Sequence, residues 1–298
     1  MDALTHISLD FYGERMATCS ADHTVKVFDR VDGEWKLNDS WTGHEAAIIK
    51  THWAGPEFSQ LIATASHDCT VKIWEEDPNE PKNSGKRWRK RFTITDYNGP
   101  LYDIKFTSSQ TGTRLASIAS DGVLRIHEAL EPNSTASWSQ IASASMLNKP
   151  VVRQLQSAFC LDWCPCVLYH DYLVVSVLED AFIYTRDTNG TLTKVSTLAQ
   201  HKGLIRDISW APSCGRSYHY IATACKDGKL RIFRVIPPTF EPELVHEQSA
   251  HGGEVWRVAW NLSGTILSST GDDGNVKFWK ASKSGRFQCL SVVGIEQS

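Results

Sequence analysis

The sequence predicts an all-β protein made of six repeats, each a four-stranded antiparallel meander. An apolar triple with spacing i, i+3, i+5 recurs six times, and its closing residues are 44, 53, 57, 47 and 50 residues apart. A turn Asp followed by alternating apolar residues recurs in step with it. No stretch keeps an apolar period of about 3.6 residues, so helices should be few.

The apolar triple marks the first strand of each repeat. The six copies are Leu4, Ile7, Leu9; Ile48, Thr51, Trp53; Leu101, Ile104, Phe106; Ala158, Leu161, Trp163; Ile205, Ile208, Trp210; and Val255, Val258, Trp260. A second strand of small and apolar residues follows, such as IATAS at 62–66. We place the repeats at about 1–41, 42–95, 96–148, 149–198, 199–247 and 248–298, in a single domain spanning 1–298.

A tight turn leads into the third strand, and a ring side chain follows six residues after its Asp. The five turn residues are Asp22, Asp68, Asp121, Asp227 and Asp273. The fourth repeat departs from this spacing, because Glu179 and Asp180 precede Phe182 and Tyr184 in another register. A fourth strand usually begins near a Gly or Ser, which completes the meander.

Three segments interrupt this scheme. We predict a mobile loop at Glu75–Gly85 and an irregular stretch at Ala129–Ser157, in which Trp138 marks an outer strand. We also predict a loop at Ile236–Gln248 with a short outer strand near Leu244-Val245. The basic KRWRKR run at Lys86–Arg91 is either a nuclear address or nucleic-acid contact, or a solvated outer strand with Trp88 facing inward. The alternation of the pattern favours the outer strand.

Composition excludes several classes of function. The net charge is −3, and no apolar run approaches the roughly 20 residues of a membrane helix, so we expect neither direct nucleic-acid binding nor membrane insertion. The eight Cys are scattered and predict reduced core thiols; Cys160, Cys164 and Cys166 lack zinc-site spacing. There is no nucleophile elbow and no phosphate loop, so we expect no enzyme activity, no metal and no cofactor.

The strongest copy, Gly43-His44 with Ser66, Asp68 and Trp74, resembles the WD-repeat family, whose fold is a β-propeller. The resemblance implies that these His, Ser, Asp and Trp side chains form a buried, structural hydrogen-bonded network. The corresponding residues elsewhere are Asp22, Asp121, His201, Asp227, His251, Asp273 and Trp279. Tyr97 and Gln154 occupy the His position of repeats three and four. In repeat one that position would precede residue 1, so we expect the true start to lie upstream.

The two ends of the chain suggest how the protein functions. The last repeat makes its own outer strand, Phe287–Val293, so we expect that no N-terminal strand latches the final blade. We therefore expect an open propeller that a partner completes with its own strands. The groove residues would be Leu4, Ile7, Leu9, Val255, Val258 and Trp260, unless these serve only the internal core of each blade.

Longer phrases carry a closer resemblance. DFYGERMATCSADHTVKVF, HKGLIRDISWAPS and GEVWRVAWNLSGTILSSTGDDGNVKFWKA are similar to the Seh family of nucleoporins, relatives of the COPII coat subunit Sec-thirteen. The resemblance implies a scaffold of the Y-shaped subcomplex at the nuclear pore and envelope, completed by a three-stranded blade from an α-solenoid nucleoporin. It also implies membership of a second assembly, the coat-like complex that regulates TOR signalling on the vacuole or lysosome. The neighbours there would be WD-repeat and solenoid subunits.

Two alternatives stay open. One is a Sec-thirteen-type subunit of the COPII vesicle coat. The other is a latched, peptide-reading WD-repeat adaptor, for which Arg153, Arg206 and Arg257 could form a recognition cluster on the top rim.

Overall fold

Four-stranded antiparallel sheets account for the regular structure of this chain. The structure is a computed structural model and describes residues 3–109, 112–131, 134–147, 158–187, 189–282 and 285–294. Within these ranges there are six such sheets, here called blades, each made of strands consecutive in the chain. This confirms the predicted all-β class with six blades of the β-propeller type. The only helix in these ranges is a 3-10 turn, Val167–Tyr169, and none is long and apolar enough to cross a membrane.

Two compact units divide the chain, Met1–Val152 with blades 1 to 3 and Arg153–Ser298 with blades 4 to 6. The strands of the first unit are β1 (Leu4–Leu9), β2 (Arg15–Ser20), β3 (Thr24–Val31) and β4 (Glu34–Thr42) in blade 1; β5 (Ile48–Trp53), β6 (Leu61–Ser66), β7 (Val71–Glu76) and β8 (Trp88–Ile94) in blade 2; and β9 (Leu101–Ser109), β10 (Gly112–Ala119), β11 (Val123–Glu131) and β12 (Ser134–Ser145) in blade 3.

The second unit repeats this order. Its strands are β13 (Phe159–Trp163), β14 (Tyr172–Val177), β15 (Asp180–Arg186) and β16 (Leu192–Leu198) in blade 4; β17 (Ile205–Trp210), β18 (His219–Cys225), β19 (Lys229–Ile236) and β20 (Glu241–Ser249) in blade 5; and β21 (Val255–Trp260), β22 (Ile266–Gly271), β23 (Asn275–Ala281) and β24 (Phe287–Gly294) in blade 6.

The small residues of each second strand fit its position in the blade. β6, β10 and β18 are buried along their whole length. For β6 and β18, both faces lie under neighbouring blades of the same unit. Ala63 and Ala65 let the next blade approach closely, since packed sheets lie only about 10 Å apart.

Within a unit, the first-strand triple of a blade packs against the preceding blade. Ile48 and Trp53 of β5 join a core cluster with Ala17 and Val25 of the preceding blade 1. In the second unit, Ile205, Ile208 and Trp210 likewise pack on blade 4. The apolar triple of a blade is therefore buried by the blade before it, and each fully buried Ile or Val contributes about 1.5–3 kcal/mol.

Two predicted irregular segments contain the outer strands that we expect in them. β12 runs for twelve residues around Trp138, and β20, predicted as short, runs for nine around Leu244 and Val245. Ser, Ala and Glu hid the length of these strands from a hydrophobicity pattern, because outer strands are held by backbone ladders and only partly covered. Residues 148–157, the rest of the first stretch, lie outside the described ranges.

The predicted mobile loop of blade 2 is anchored on blade 1. Strand β7 extends to Glu76, and the buried carboxylate of Asp39 then accepts the backbone N–H groups of Gly85 (2.8 Å) and Arg87 (3.0 Å). The N–H of Asn83 donates to the carbonyl of Asn38 (2.8 Å). Charge-assisted bonds of this kind are about twice as strong as neutral ones, so they hold the loop in place.

Candidate functional site

The turn Asp of blade 2 belongs to a buried hydrogen-bonded network. His44 Nδ1 lies 2.8 Å from Asp68 Oδ2, and His44 Nε2 lies 2.7 Å from the hydroxyl of Thr64. The indole N–H of Trp74 donates to the same hydroxyl (2.9 Å). Two strands and two turns are thereby tied at one point, which is a structural role.

Ser66 does not hold the place in this network that the sequence predicted for it. Its hydroxyl donates to the carbonyl of Ala47 (2.9 Å) and accepts the N–H of Asp68 (3.1 Å), so it fastens the turn instead. Thr64, two residues earlier on the same face of β6, is the hydroxyl that His44 and Trp74 share. Strand period alone could not choose between them, because both side chains point the same way.

Blade 6 repeats the network with Ser in place of Thr. His251 Nδ1 lies 2.7 Å from Asp273 Oδ1, and His251 Nε2 lies 2.8 Å from Ser269 Oγ. The indole of Trp279 donates to Ser269 Oγ (2.9 Å). Hydrogen bonds from the His ring and from turn amides lower the pKa of Asp273 far below its usual value, against the effect of desolvation.

Blades 3 and 5 replace the His–Asp contact with an ion pair that the sequence analysis missed. Arg125 Nη2 lies 2.8 Å from Asp121, and Arg231 Nη2 lies 2.6 Å from Asp227. The Arg231 side chain is fully buried and also donates to Glu247 (2.8 Å). The signal was present: a cation stands four residues after every turn Asp.

The partner of the Asp differs with the identity of that cation. Where it is Lys, as with Lys72 and Lys277, its ammonium donates to a backbone carbonyl and the Asp accepts from His, and Lys277 also lies 3.3 Å from Asp273. Where it is Arg231, the fork of the guanidinium takes Asp227, and His201 Nε2 lies 2.9 Å from the hydroxyl of Thr223. Burial lowers the pKa of His201 to about 4.

The remaining blades keep only parts of the network. In blade 1, Asp22 accepts from the backbone and hydroxyl of Thr24. In blade 3, the hydroxyl of Tyr97 donates to Ser117 (2.8 Å) from the His position. Gln154, at the same position of blade 4, lies outside the described residues.

The first-strand triple of blade 1 forms an exposed apolar face. Leu4, Ile7 and Leu9 are 55%, 49% and 53% exposed. The strand register places Leu9, Met16, Phe28 and Leu37 side by side on the four strands, so that they form one row across the sheet. The equivalent row of blade 2 contains Trp53, Ile62 and Trp74, all buried under blade 1. The outward face of blade 1 is therefore shaped to pack under another blade.

The equivalent triple of blade 6 is not such a face, and its assignment to the groove is corrected here. Val255 and Val258 are buried in a core with Ala222 and Leu230 of blade 5. The indole of Trp260 donates to the carbonyl of Ser209 (3.2 Å), also in blade 5. The directional packing of blades explains the error, since a triple always faces the preceding blade.

The outward face of blade 6 carries other residues. Its central row is Ala259, Ser268, Phe278 and Ser291. Ser268 and Phe278 are half-buried. The equivalent residues of blade 5 are Ala222 and Ile232, and blade 6 buries both of them completely.

Comparisons with known proteins decide the family. The WD domain, G-beta repeat family matches residues 2–29, 35–75, 192–234 and 242–280. Nucleoporin SEH1 of Saccharomyces cerevisiae is 42% identical, over 99% of this chain and 98% of the relative. Nucleoporin seh1 of Schizosaccharomyces pombe is 39% identical (99% and 94%), and nucleoporin SEH1 of Homo sapiens 34% (98% and 85%).

This chain belongs to the nucleoporin SEH1 family. The resemblance inferred from its longer phrases is thereby confirmed. The match runs over nearly the full length of the fungal relatives, so it covers both units of the SEH1-family chain.

The arginines considered for a peptide-reading rim are paired within blades 5 and 6 of this SEH1-family chain. Arg206 lies 2.7 Å from Glu254 and stacks 4.5 Å from the ring centroid of Trp256. Arg257 lies 3.8 Å from Asp207. Arg153 lies outside the described residues, so the cluster of three is not assembled in the part of the chain that the structure shows.

The basic hexapeptide forms an outer strand. Trp88 is buried, whereas Arg89 and Arg91 are exposed and pair with Asp77 (2.8 Å) and Glu75 (2.6 Å). Acidic partners neutralise this run locally, which favours the outer-strand interpretation over contact with a nucleic acid.

Proposed function

We propose that this chain is a non-enzymatic scaffold subunit of the nuclear pore, held in the Y-shaped subcomplex by an α-solenoid nucleoporin that donates a β-blade. The donated blade covers Leu4, Ile7 and Leu9. The observation that carries the proposal is their exposure, because the same row is buried under a neighbouring blade in blades 2 and 5.

A donated blade suits this face better than a helix or a short peptide. The row from Leu9 to Leu37 crosses four strands, and a sheet packed at about 10 Å would cover its full width. Each side chain it buried would contribute about 1.5–3 kcal/mol before the cost of association. The outward face of blade 6, around Phe278, is a second apolar surface for partner strands.

The relatives support the pore over the vesicle coat. The fungal and human proteins described above are named nucleoporins, whereas the COPII alternative rests on the relationship to Sec-thirteen. The TOR-regulating complex at the vacuole or lysosome is a second assembly that we propose on the resemblance alone, with WD-repeat and solenoid subunits as neighbours.

Affinity purification of the tagged full chain, followed by mass spectrometry, tests the assembly. We expect an α-solenoid nucleoporin and other Y-complex nucleoporins in stoichiometric amounts, and TOR-regulating subunits as a second set. Recovery of COPII coat subunits in their place would reassign the chain to the vesicle coat. Recovery of the chain without any solenoid would contradict strand donation.

A further inference from the structure

Lys26 lies on the outward face of blade 1, among apolar side chains. The strand register places it in one row across the sheet with Ile7, Thr18 and Ser40. This row lies next to the apolar row that begins at Leu9. Val25 and Val27, its neighbours along β3, are fully buried on the opposite face, in the core shared with blade 2. Because side chains alternate along a strand, Lys26 points toward the face that the donated blade would cover.

The ammonium of Lys26 forms neither a hydrogen bond nor an ion pair in the described part of the chain. Asp22, four residues earlier, instead accepts the backbone N–H (2.9 Å) and the hydroxyl (2.6 Å) of Thr24. These bonds lower the pKa of Asp22, and the charge of Lys26 contributes least to the shift. Lys26 is exposed, so water solvates its charge as long as the face is uncovered.

The cation at the same position of a covered blade always has an oxygen acceptor. Lys72 of blade 2 donates to the carbonyl of Gly43 (2.9 Å), and Lys277 of blade 6 donates to that of Ala250 (2.6 Å). Both carbonyls lie five residues before the first strand of the blade, a position that would precede residue 1 in blade 1. In blades 3 and 5 the cation is an arginine, and its acceptor is the turn Asp.

Covering Lys26 has a cost that the apolar residues around it do not have. A blade packed on this face takes the ammonium out of water, and a buried charge without a partner is strongly destabilising. The apolar rows alone would favour burial without choosing an alignment, because the hydrophobic effect is non-directional. A single polar pair within an apolar contact does choose one, as a buried polar residue fixes the register of a coiled coil.

We propose that Lys26 is the specificity-determining residue of the blade 1 face. The donated blade bonds its ammonium through an oxygen acceptor, a carboxylate or a backbone carbonyl, and this bond sets the register of the blade. Strands that place only apolar side chains against Lys26 are rejected, because they bury its charge unpaired. The inference rests on the proposed strand donation, and it adds the chemistry that the donated blade must carry.

Isothermal titration of the full chain with the solenoid nucleoporin recovered on the tagged chain tests this inference. Lys26→Met keeps the apolar stem and removes the ammonium, so the acceptor of the partner is buried without a donor. We expect at least about tenfold weaker binding, with an unchanged melting temperature of the free chain. Lys36→Met is the matched control, because Lys36 is exposed on the same blade but lies opposite Asp29, on the other face. It should bind like the unsubstituted chain.

Two further measurements identify the acceptor. If it is a carboxylate, raising NaCl from about 0.1 M to about 0.5 M should weaken binding of the unsubstituted chain more than that of Lys26→Met. An equal effect of salt on both indicates a backbone carbonyl. Asp22→Asn, checked by circular dichroism, should keep the affinity. A loss as large as that of Lys26→Met would assign the acceptor to Asp22 of this chain and overturn the proposal.

The outcome for Lys26 is separable from the outcome for strand donation. Lys26→Met that binds as tightly as the unsubstituted chain, while Ile7→Asp fails to bind, would overturn the role of Lys26 and leave strand donation standing. Undiminished binding by both variants would contradict strand donation and this inference together. Lys26→Gln replaces Lys26→Met if that variant fails to fold.

Discussion

Arg15 of blade 1 and Glu76 of blade 2 form a bidentate ion pair, with Nη1–Oε2 at 2.6 Å and Nη2–Oε1 at 3.1 Å. Arg15 also lies 5.4 Å from the ring centroid of Trp53 and bonds Asp29, and Glu76 accepts from Arg87 (2.6 Å). This network couples two blades with the anchored loop of blade 2.

Replacing Glu76 with Gln should lower the free energy of unfolding by about 2 kcal/mol, because both arginines lose a charged acceptor in a mostly buried site. The neighbouring Glu75→Gln is the control. Its partner Arg91 is 44% exposed, so we expect a loss of under about 1 kcal/mol. Urea denaturation measures both values, and equal losses would show that the network does not join the blades.

Thr64 should matter more than Ser66. Thr64→Val removes the hydroxyl shared by His44 and Trp74 and leaves two buried ring nitrogens unpaired, at about 1–3 kcal/mol each. Ser66→Ala removes a turn contact and should cost about 1 kcal/mol. Thermal and urea unfolding of the two variants compare them. A larger cost for Ser66→Ala would restore Ser66 to the network.

Arg231→Lys should redirect Asp227 toward His201. Blades 2 and 6 have Lys at this position, and there the turn Asp accepts from the His ring. The variant should therefore bring Asp227 into a hydrogen bond with Nδ1 of His201, as Asp68 bonds Nδ1 of His44 in blade 2. Imidazole NMR detects the Nδ1 proton of His201 when a carboxylate holds it. A ring without this hydrogen bond would mean that the cation does not choose the partner of the Asp.

The chain should lose stability on mild acidification. Burial lowers the pKa of His44 and His201 to about 4 and that of His52 to about 3, against about 6.5 in an unfolded chain. Below pH 6.5 the unfolded chain binds more protons, so each group removes up to about 1.4 kcal/mol per pH unit until its folded pKa is reached. Their contribution is complete above pH 6.5.

Urea unfolding between pH 7.5 and about 4.5 checks this behaviour. The free energy of unfolding should fall steadily below pH 6.5. His52→Gln should flatten the slope, because one buried neutral histidine is then removed. A flat profile in the unsubstituted chain would contradict the burial of neutral histidines.

Local periodicity was sufficient to predict the blades and most of their turns. The triples, the small second strands and the turn Asp residues each repeat at fixed spacing, and every repeat confirms the others. The extent of outer strands such as β12 and β20 was hidden, because backbone ladders rather than apolar side chains hold them. The segment Asp77–Arg87 was misjudged, because Asp39, which anchors it, lies in another blade.

The candidate site shows where sequence reasoning fails. Leu4 and Val255 occupy the same position of the repeat, yet one is exposed and the other fully buried. The difference comes from which neighbour each blade has, and a repeat pattern contains no such information. The packing of Ile48 on blade 1, of Ile205 on blade 4 and of Val255 on blade 5 shows that each of these triples faces the preceding blade, whereas the triple of blade 1 is exposed.

The affinity of the full chain for the solenoid nucleoporin that we propose as its partner, measured by isothermal titration with Ile7→Asp, tests strand donation most directly. Ile7 is 49% exposed, so Asp there should leave the fold intact by circular dichroism yet place a charge beneath the donated blade. We predict at least about a hundredfold weaker binding, with Leu262→Asp binding like the unsubstituted chain. Undiminished binding by Ile7→Asp would contradict the account.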